Sequence, residues 1–181
     1  MKKLFSSVIV MLVISAAGFS QTSSSYRGSD YQTSVGIRFG TGYYDAVSAS
    51  FKGFLAGTPG ALELNLGFRP DSYYGYDALS VSFQAAYEYH FNIRPVPGFK
   101  WFIGGGLSFY NTSLTNKSNA DNSYNSGFGM GIFPTGGVDY KFANIPLAVT
   151  ADLRPTIGFI RPNDYYNYTY VSFGVSARYT F

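Results

Sequence analysis

The segment Leu79–Phe91 reads LSVSFQAAYEYHF and alternates between two kinds of residue along its whole length. Successive side chains of a β-strand point to opposite faces, so this spacing predicts a strand with one apolar and one polar face. The apolar face carries Leu79, Val81, Phe83, Ala85, Tyr87, Tyr89 and Phe91. The other face carries Ser80, Ser82, Gln84, Ala86, Glu88 and His90.

Seven further segments show the same period and are separated by clusters of Gly, Pro, Asn and Asp. They are Gln32–Gly40, Ala46–Leu55, Ala61–Phe68, Phe99–Tyr110, Phe128–Phe142, Leu147–Phe159 and Thr169–Phe181. Eight strands are the number that closes a small antiparallel barrel. Short connections, at Ala56–Gly60, Asn92–Gly98 and Ala143–Pro146, alternate with mostly longer ones, which is typical of a membrane barrel. The sequence therefore predicts an all-β chain that folds as an eight-stranded antiparallel up-and-down transmembrane β-barrel.

Charge indicates which face of the strands points outward. A soluble lipocalin-like carrier would also alternate, with its apolar face inside. The apolar face of the eight segments carries no Lys, Arg, Asp or Glu, and the polar face is mostly Gly and Ser, which suit a tight lumen. We therefore place the apolar face in lipid and predict an inward charge network. Its members are Arg38, Lys52, Glu63, Glu88, Asp139, Asp152, Arg154 and Arg178.

Aromatic residues on the apolar face gather near the short connections. They are Tyr87, Tyr89, Phe91, Phe99, Trp101, Tyr140, Phe142, Tyr179 and Phe181. Membrane barrels carry aromatic girdles of this kind where lipid meets water. This placement supports an apolar face in lipid independently of the charges.

The composition fits neither an ordinary soluble protein nor a disordered one. Charged residues make up 13% of the 181 residues, against about 25% in typical soluble domains. Aromatic residues make up 19% of the chain, which argues against disorder. The chain has no Cys, which excludes disulfides and thiolate metal sites.

The first 20 residues have the pattern of a cleaved export signal, with Lys2 and Lys3 before the apolar run Leu4–Ala17. That run is shorter than the roughly 20 residues of a membrane-spanning helix. Cleavage before Gln21 would leave a short segment, 21–31, and a barrel domain, 32–181. Removing two of the 13 basic residues leaves 11 against 10 acidic ones. A nearly neutral mature chain gives no support for a nucleic-acid partner.

The last segment ends with the apolar-face residues Phe173, Val175, Ala177, Tyr179 and Phe181. With its terminal Phe, an aromatic residue two positions earlier and eight alternating segments, the chain resembles the small outer-membrane barrels of the OmpA/OmpX type. The resemblance implies the outer membrane of a Gram-negative bacterium, with outer-membrane lipid as a partner. It also implies periplasmic chaperones, the barrel-assembly machinery, and Tyr179 and Phe181 as the assembly signal. Because nothing follows Phe181, we expect no periplasmic peptidoglycan-binding domain.

A barrel of eight strands is just wide enough to be filled by its own side chains. We therefore expect ion pairs and hydrogen bonds to close the lumen, with a gated ion pathway as the alternative. Small residues dominate the outer half, and we expect a water-filled vestibule there. These residues are Ser48, Ser50, Ser80, Ser82, Gly104, Gly106, Ser108, Gly129, Gly131, Ser172 and Gly174.

Two prolines lie on the apolar face of successive segments. Counted back from the Ala143–Pro146 connection, Pro134 and Pro155 face each other across the strand pair. Neither residue can donate a ladder hydrogen bond. The sequence predicts a bulge or a bend in the ladder at this point.

Tyrosine is frequent in the longer connections. Tyr together with Asn, Ser and Gly is typical of adaptable binding surfaces, and an outer aromatic belt is the alternative interpretation. The candidate binding residues are Tyr43, Tyr44, Tyr73, Tyr74, Tyr76, Tyr165, Tyr166 and Tyr168. The polar, low-complexity stretch Asn111–Ser126 is predicted to be a mobile loop.

The sequence predicts no catalytic, cofactor-binding or metal site. Its single histidine, His90, lies beside the short connection that begins at Asn92. That position is a membrane thickness away from the outer leaflet, where a lipid-modifying barrel enzyme would need it. Three functions remain open: a non-enzymatic outer-membrane barrel with a structural or surface-interaction role, a narrow channel or small-ligand barrel, and a soluble carrier.

Overall fold

The computed structural model describes residues 31–73, 76–116, 123–160 and 169–181. These residues form eight β-strands. They are β1 (Thr33–Gly40), β2 (Val47–Phe54), β3 (Gly60–Tyr73), β4 (Tyr76–Asn92), β5 (Phe99–Asn116), β6 (Ser123–Lys141), β7 (Leu147–Ile160) and β8 (Thr169–Thr180). Within the described ranges, no helix is long and apolar enough to cross a membrane.

The strands follow one another around a closed barrel, and β1 pairs with β8 to complete it. Every pair of neighbouring strands is antiparallel, which confirms the predicted architecture. We call the end with the β2–β3, β4–β5 and β6–β7 connections the turn end, and the opposite end the loop end. At the turn end, Gly57 and Gly98 have φ angles of 77° and 78°, a conformation that only glycine adopts at little cost.

The strands differ in length, and the longest ones extend the barrel wall at the loop end. β1 and β2 have 8 residues each, whereas β4, β5 and β6 have 17, 18 and 19. Residues 111–116 and 123–126 belong to β5 and β6, so the prediction of a mobile loop there was wrong for these positions. The rest of that loop lies outside the described residues. Alternation fails as a signal here because both faces of the extensions carry polar residues.

The two faces of the barrel have opposite chemistry. Large apolar side chains cover the outside, where Ile103 and Phe173 are 57% and 50% exposed. Charged and hydroxyl side chains fill the inside, where Arg154 is 1% exposed. A carrier with an apolar pocket requires the reverse arrangement, so the structure contradicts the soluble-carrier alternative.

The β6–β7 ladder is interrupted at the two prolines. Paired residues stop at Ile132 opposite Ile157 and resume at Gly136 opposite Leu153. Pro134 and Pro155 lie in the gap, and a register shift follows between Met130 and Gly131. The predicted break is therefore confirmed, because proline lacks the amide hydrogen that a ladder needs.

Candidate functional site

All eight residues of the predicted charge network point into the lumen, and each is at most 2% exposed. At the loop end, Arg38 holds Asp152 with two hydrogen bonds, Nη2 to Oδ1 at 2.6 Å and Nε to Oδ2 at 3.0 Å. Its Nη1 donates to Oδ2 of Asp45 at 2.7 Å. This fork geometry explains the choice of arginine, whose planar donors can serve two carboxylates at once.

Arg154 carries the network toward the middle of the barrel. Its Nε donates to Asp152 Oδ1 at 2.8 Å, and its Nη2 donates to Glu63 Oε1 at 2.5 Å. Its Nη1 donates to the side-chain oxygen of Gln84 at 2.9 Å. One guanidinium therefore connects carboxylates on β3 and β7 across the lumen.

Glu63 is the meeting point of three cations. Besides Arg154, its carboxylate lies 2.8 Å from Arg178 Nη2 and 3.2 Å from Lys52 Nζ. Asn65 donates a further hydrogen bond to Oε1 at 2.8 Å. A carboxylate that is completely buried, as Glu63 is, needs such compensation because removal from water costs several kcal/mol per ion.

Lys52 extends the network to the turn end. Its Nζ lies 2.7 Å from Glu88 Oε2 and 3.4 Å from Asp139 Oδ2. Asp139 also accepts hydrogen bonds from the Tyr31 hydroxyl at 2.9 Å and from Thr150 at 3.1 Å. Ion pairs thus run without a gap from Asp45, at the loop end, to Asp139.

The eight predicted members balance in charge. Four are cationic (Arg38, Lys52, Arg154 and Arg178) and four are anionic (Glu63, Glu88, Asp139 and Asp152). Two cations also lie over aromatic rings, Lys52 at 4.7 Å from the Phe102 centroid and Arg154 at 5.5 Å from that of Phe133. Such contacts add to the stability of a desolvated cation.

The sequence did not identify Asp45 and Tyr31 as members, because both lie outside the alternating segments. Burial raises the pKa of the Asp45 carboxyl, and the Arg38 guanidinium opposes that rise. Burial also raises the pKa of the Tyr31 hydroxyl, and the negative charge of Asp139 adds to the effect. The spacing of Asp45, seven residues after Arg38, gives no signal that the connection folds back into the barrel.

Three inward aromatic rings on β5 and β6 each lie directly opposite a glycine. The pairs are Phe102 with Gly137, Phe133 with Gly106, and Tyr110 with Gly129. A Cβ on any of these glycines would overlap the opposing ring, and on Gly106 and Gly137 it would also meet a backbone carbonyl oxygen of the strand on the other side. The glycines therefore provide the space in which large rings lie flat against the barrel wall.

This packing contradicts the predicted vestibule. Tyr44, Tyr110 and Tyr170 form a buried aromatic cluster toward the loop end, and Ser82 and Ser108 near them are 2% and 0% exposed. Rings from neighbouring strands and from the β1–β2 connection fill the volume that the inward Gly and Ser residues leave.

The tyrosines proposed for surface binding have different positions. Tyr43 is 47% exposed, but Tyr44 is 1% exposed and packs inside the barrel, so its assignment as a surface residue was wrong. Tyr73 and Tyr76 pair with each other at the ends of β3 and β4. The remaining candidates, Tyr74, Tyr165, Tyr166 and Tyr168, lie outside the described residues.

The predicted aromatic girdle and assembly residues lie on the exterior toward the turn end. Phe91 stacks on Trp101 at 4.2 Å between ring centroids. Tyr179 and Phe181 are 54% and 59% exposed, and their rings are 5.0 Å apart. Both side chains are accessible to another molecule from outside the barrel.

His90 faces the lumen at the turn end as a structural member of the network. Its Nε2 lies 3.1 Å from Glu88 Oε2, and its ring stacks on Phe102 at 5.0 Å. In the described part of the chain, no three His, Asp or Glu side chains come together in a metal-binding arrangement.

Similar solved structures include the N-terminal β-barrel domain of Pseudomonas aeruginosa OprF. It is 22% identical, with a TM-score of 0.56 over 84% of this chain and 100% of that chain. Neisserial surface protein A (NspA) is 17% identical, with a TM-score of 0.48 over 83% and 95% of the two chains. Acinetobacter baumannii CarO is 10% identical, with a TM-score of 0.42 over 82% and 97%. No family model matches the sequence, and no curated protein is significantly similar to it.

Proposed function

We propose that this chain is a non-enzymatic outer-membrane β-barrel with a structural or cell-surface interaction role and a lumen closed by its ion pairs. The observation that carries the proposal is the inverted distribution of side chains. Apolar side chains lie on the outside of the barrel, and paired charges lie inside it. A continuous apolar exterior is stable only where lipid covers it.

Strand length supports a membrane crossing. A tilted strand needs about 9 to 11 residues to span a bilayer. The strands β3 to β8 have 12 to 19 residues, whereas β1 and β2 have 8 each and fall just short of that range. The aromatic side chains near the turn end match one interfacial girdle. In this orientation the turn end faces the periplasm and the loop end faces the outside of the cell.

The ion-pair network and the aromatic cluster support a closed lumen. The side chains of Lys52, Glu63 and Arg178 meet at its centre, and none of them has accessible surface. A barrel of this size holds side chains or one small ligand but no wide aqueous pore.

Tyr43 supports the surface-interaction part of the proposal. It is exposed at the loop end, and its ring is held 5.9 Å from that of Tyr170. A fixed, exposed tyrosine offers large contact area at low entropy cost. The binding candidates outside the described residues would extend the same surface.

Biogenesis follows from the resemblance to OmpA/OmpX-type barrels. We propose export by the cleaved signal 1–20, passage through periplasmic chaperones and insertion by the barrel-assembly machinery. Tyr179 and Phe181 would be its recognition signal, and their exposure on the outer surface of β8 leaves them accessible to such a partner.

The membrane assignment is tested by flotation of refolded protein with vesicles of phosphatidylethanolamine and phosphatidylglycerol. We expect the protein to float with the vesicles after a urea wash, and protein that stays at the bottom of the gradient would contradict the proposal. Topology is tested in cells with Tyr43→Cys and Ala56→Cys, since the chain has no native Cys. A membrane-impermeant thiol reagent should label the first variant and not the second.

A narrow ion pathway is the second candidate. The continuous line of charged groups from Asp45 to Asp139 favours it, because such groups can replace the hydration of a passing ion. Planar-bilayer recording separates the two functions. A closed barrel gives no steady conductance, whereas a pathway gives a conductance that Arg154→Gln alters.

A further inference from the structure

The β1–β2 connection, residues 41–46, folds back into the barrel. Tyr44 and Asp45 are each 1% exposed, whereas the neighbouring Tyr43 is 47% exposed. The connection therefore places one aromatic ring and one carboxylate inside the lumen at the loop end.

Hydrogen bonds to β1, β3 and β8 hold this connection in place, and at its end Ala46 O accepts from Gly40 N at 3.0 Å and Ala46 N donates to Phe68 O at 3.1 Å. Thr41 exchanges hydrogen bonds with Phe173 on β8, its N donating to Phe173 O at 2.9 Å and its Oγ1 accepting from Phe173 N at 3.0 Å. Arg69 Nη1 donates to Gly42 O at 2.6 Å. Asp45 accepts from Arg38 at 2.7 Å, and it reaches that position beside Gly42, where a Cβ would collide with its carboxylate.

Tyr44 covers the lumen at the loop end. Its ring stacks on Tyr110 with 3.7 Å between centroids and 11° between planes, and it meets Tyr170 edge-on at 5.6 Å. Tyr110 and Tyr170 belong to the barrel wall, on β5 and β8. Tyr44 is therefore the part of the aromatic cluster that a connection, rather than a strand, carries.

The network below is complete without Asp45. Arg38 keeps both hydrogen bonds to Asp152, and the eight predicted members of the network balance as four positive and four negative. Withdrawing the connection would thus leave Arg38 with a partner carboxylate. This distinguishes it from the strand-borne carboxylates, whose removal would leave a buried charge uncompensated.

We propose that the β1–β2 connection is a lid, which seals the outer lumen with Tyr44 and opens without disturbing the ion-pair network beneath it. Asp45 and Arg38 form its latch. The lumen then has two closures of different kinds, a releasable aromatic one at the loop end and a permanent ionic one below.

Cysteine accessibility tests the lid, because the chain has no native Cys. Ser82→Cys reports on the space behind the lid, since Ser82 pairs with Tyr110 and lies with Asp45 around Gly67. Ser176→Cys is the matched reporter below, because Ser176 pairs with Arg38 and Thr150. Among the described residues, neither serine hydroxyl has a hydrogen-bond partner, so each change removes no bond.

Methyl methanethiosulfonate is added to the refolded protein in vesicles, and labelling is followed by mass spectrometry of the intact chain. Ser82→Cys should react at least tenfold faster than Ser176→Cys in the otherwise unchanged protein. Tyr44→Ala should raise the Ser82→Cys rate about tenfold further, since it removes the ring that stacks on Tyr110 and the area that this ring buries. The control Val47→Ala changes an outward-facing side chain next to the connection, which is 44% exposed, and should leave the rate unchanged.

Asp45→Asn is the second variant, because it weakens the latch and keeps all three rings. It should also accelerate labelling at position 82 and leave position 176 protected. Equal rates with Tyr44→Ala and Val47→Ala would overturn the lid. So would equal acceleration at both reporters, since this would mean that the barrel opens as a whole.

Discussion

Tyr110 on β5 lies directly opposite Gly129 on β6, and its ring occupies the space that a Cβ on that glycine would need. The same arrangement places Phe102 against Gly137 and Phe133 against Gly106. Glycine in the middle of a strand is ordinarily destabilising because it has no side chain to pack. Here the opposing ring supplies the missing packing, and the glycines become requirements of the filled lumen.

Gly129→Ala should therefore destabilise the barrel by about 1 to 3 kcal/mol, the usual cost of overpacking a filled interior. Urea unfolding of the protein in vesicles measures this change. Gly136→Ala is the matched control on the same strand, because the nearest heavy atom to its added Cβ would be Phe102 O at 3.7 Å. We expect that variant to be neutral, and an equal loss in both would show that the ring is not the cause.

The buried ion pairs should be far more sensitive than the exposed one. Asp152→Asn removes the charge that Arg38 and Arg154 share in a site with no side-chain exposure, and we expect a loss of about 3 to 5 kcal/mol. Asp71→Asn breaks a pair with Arg69 whose side chains are 28% and 31% exposed, and should cost less than about 1 kcal/mol. Unfolding midpoints compare the two, and similar losses would contradict the importance of burial.

Lipid contact predicts a cost that depends on depth. Leu107 points outward near the middle of the apolar part of β5 and is 44% exposed. Leu107→Arg should destabilise the protein in vesicles by about 2 to 4 kcal/mol, whereas Thr115→Arg, on the same face beyond the apolar part, should cost about 0 to 1 kcal/mol. If the two substitutions are equally tolerated in vesicles, the apolar face does not lie in lipid.

The proposed assembly signal, Tyr179 and Phe181, predicts a defect in cells without a defect in stability. Phe181 is 59% exposed, so Phe181→Ala removes little internal packing. We expect a lower yield of folded protein in the outer membrane and an unchanged unfolding midpoint after refolding in vitro. Phe173→Ala, at 50% exposure on the same strand, is the control and should assemble normally.

Periodicity was sufficient to predict the strands, their faces and the inward charges. Successive side chains of a strand alternate between its two faces, and this alternation places Arg154 and Glu63 inside. The same alternation places their neighbours Leu153 and Leu62 outside. The facing prolines, Pro134 and Pro155, could be placed because a hairpin register follows from the position of its turn.

The features that the sequence did not predict depend on contacts that the alternation of side chains does not reveal. Tyr44 and Asp45 lie in a connection, where no period predicts an inward fold. The filling of the space beside Gly106 and Gly129 depends on which residue of the neighbouring strand lies opposite. The extensions of β3 to β6 carry polar residues on both faces, so only the backbone pairing reveals them.

The network draws its eight charges from seven of the eight strands, with Arg38 on the first and Arg178 on the last. A chain that has formed only some of its strands must hold some of these charges without their partners, at a cost of several kcal/mol for each one that leaves water. Closure of the β1–β8 seam brings the final partners together. The lumen chemistry thus favours cooperative folding, because a partly wound barrel leaves inward charges such as Arg38 without their partners on other strands.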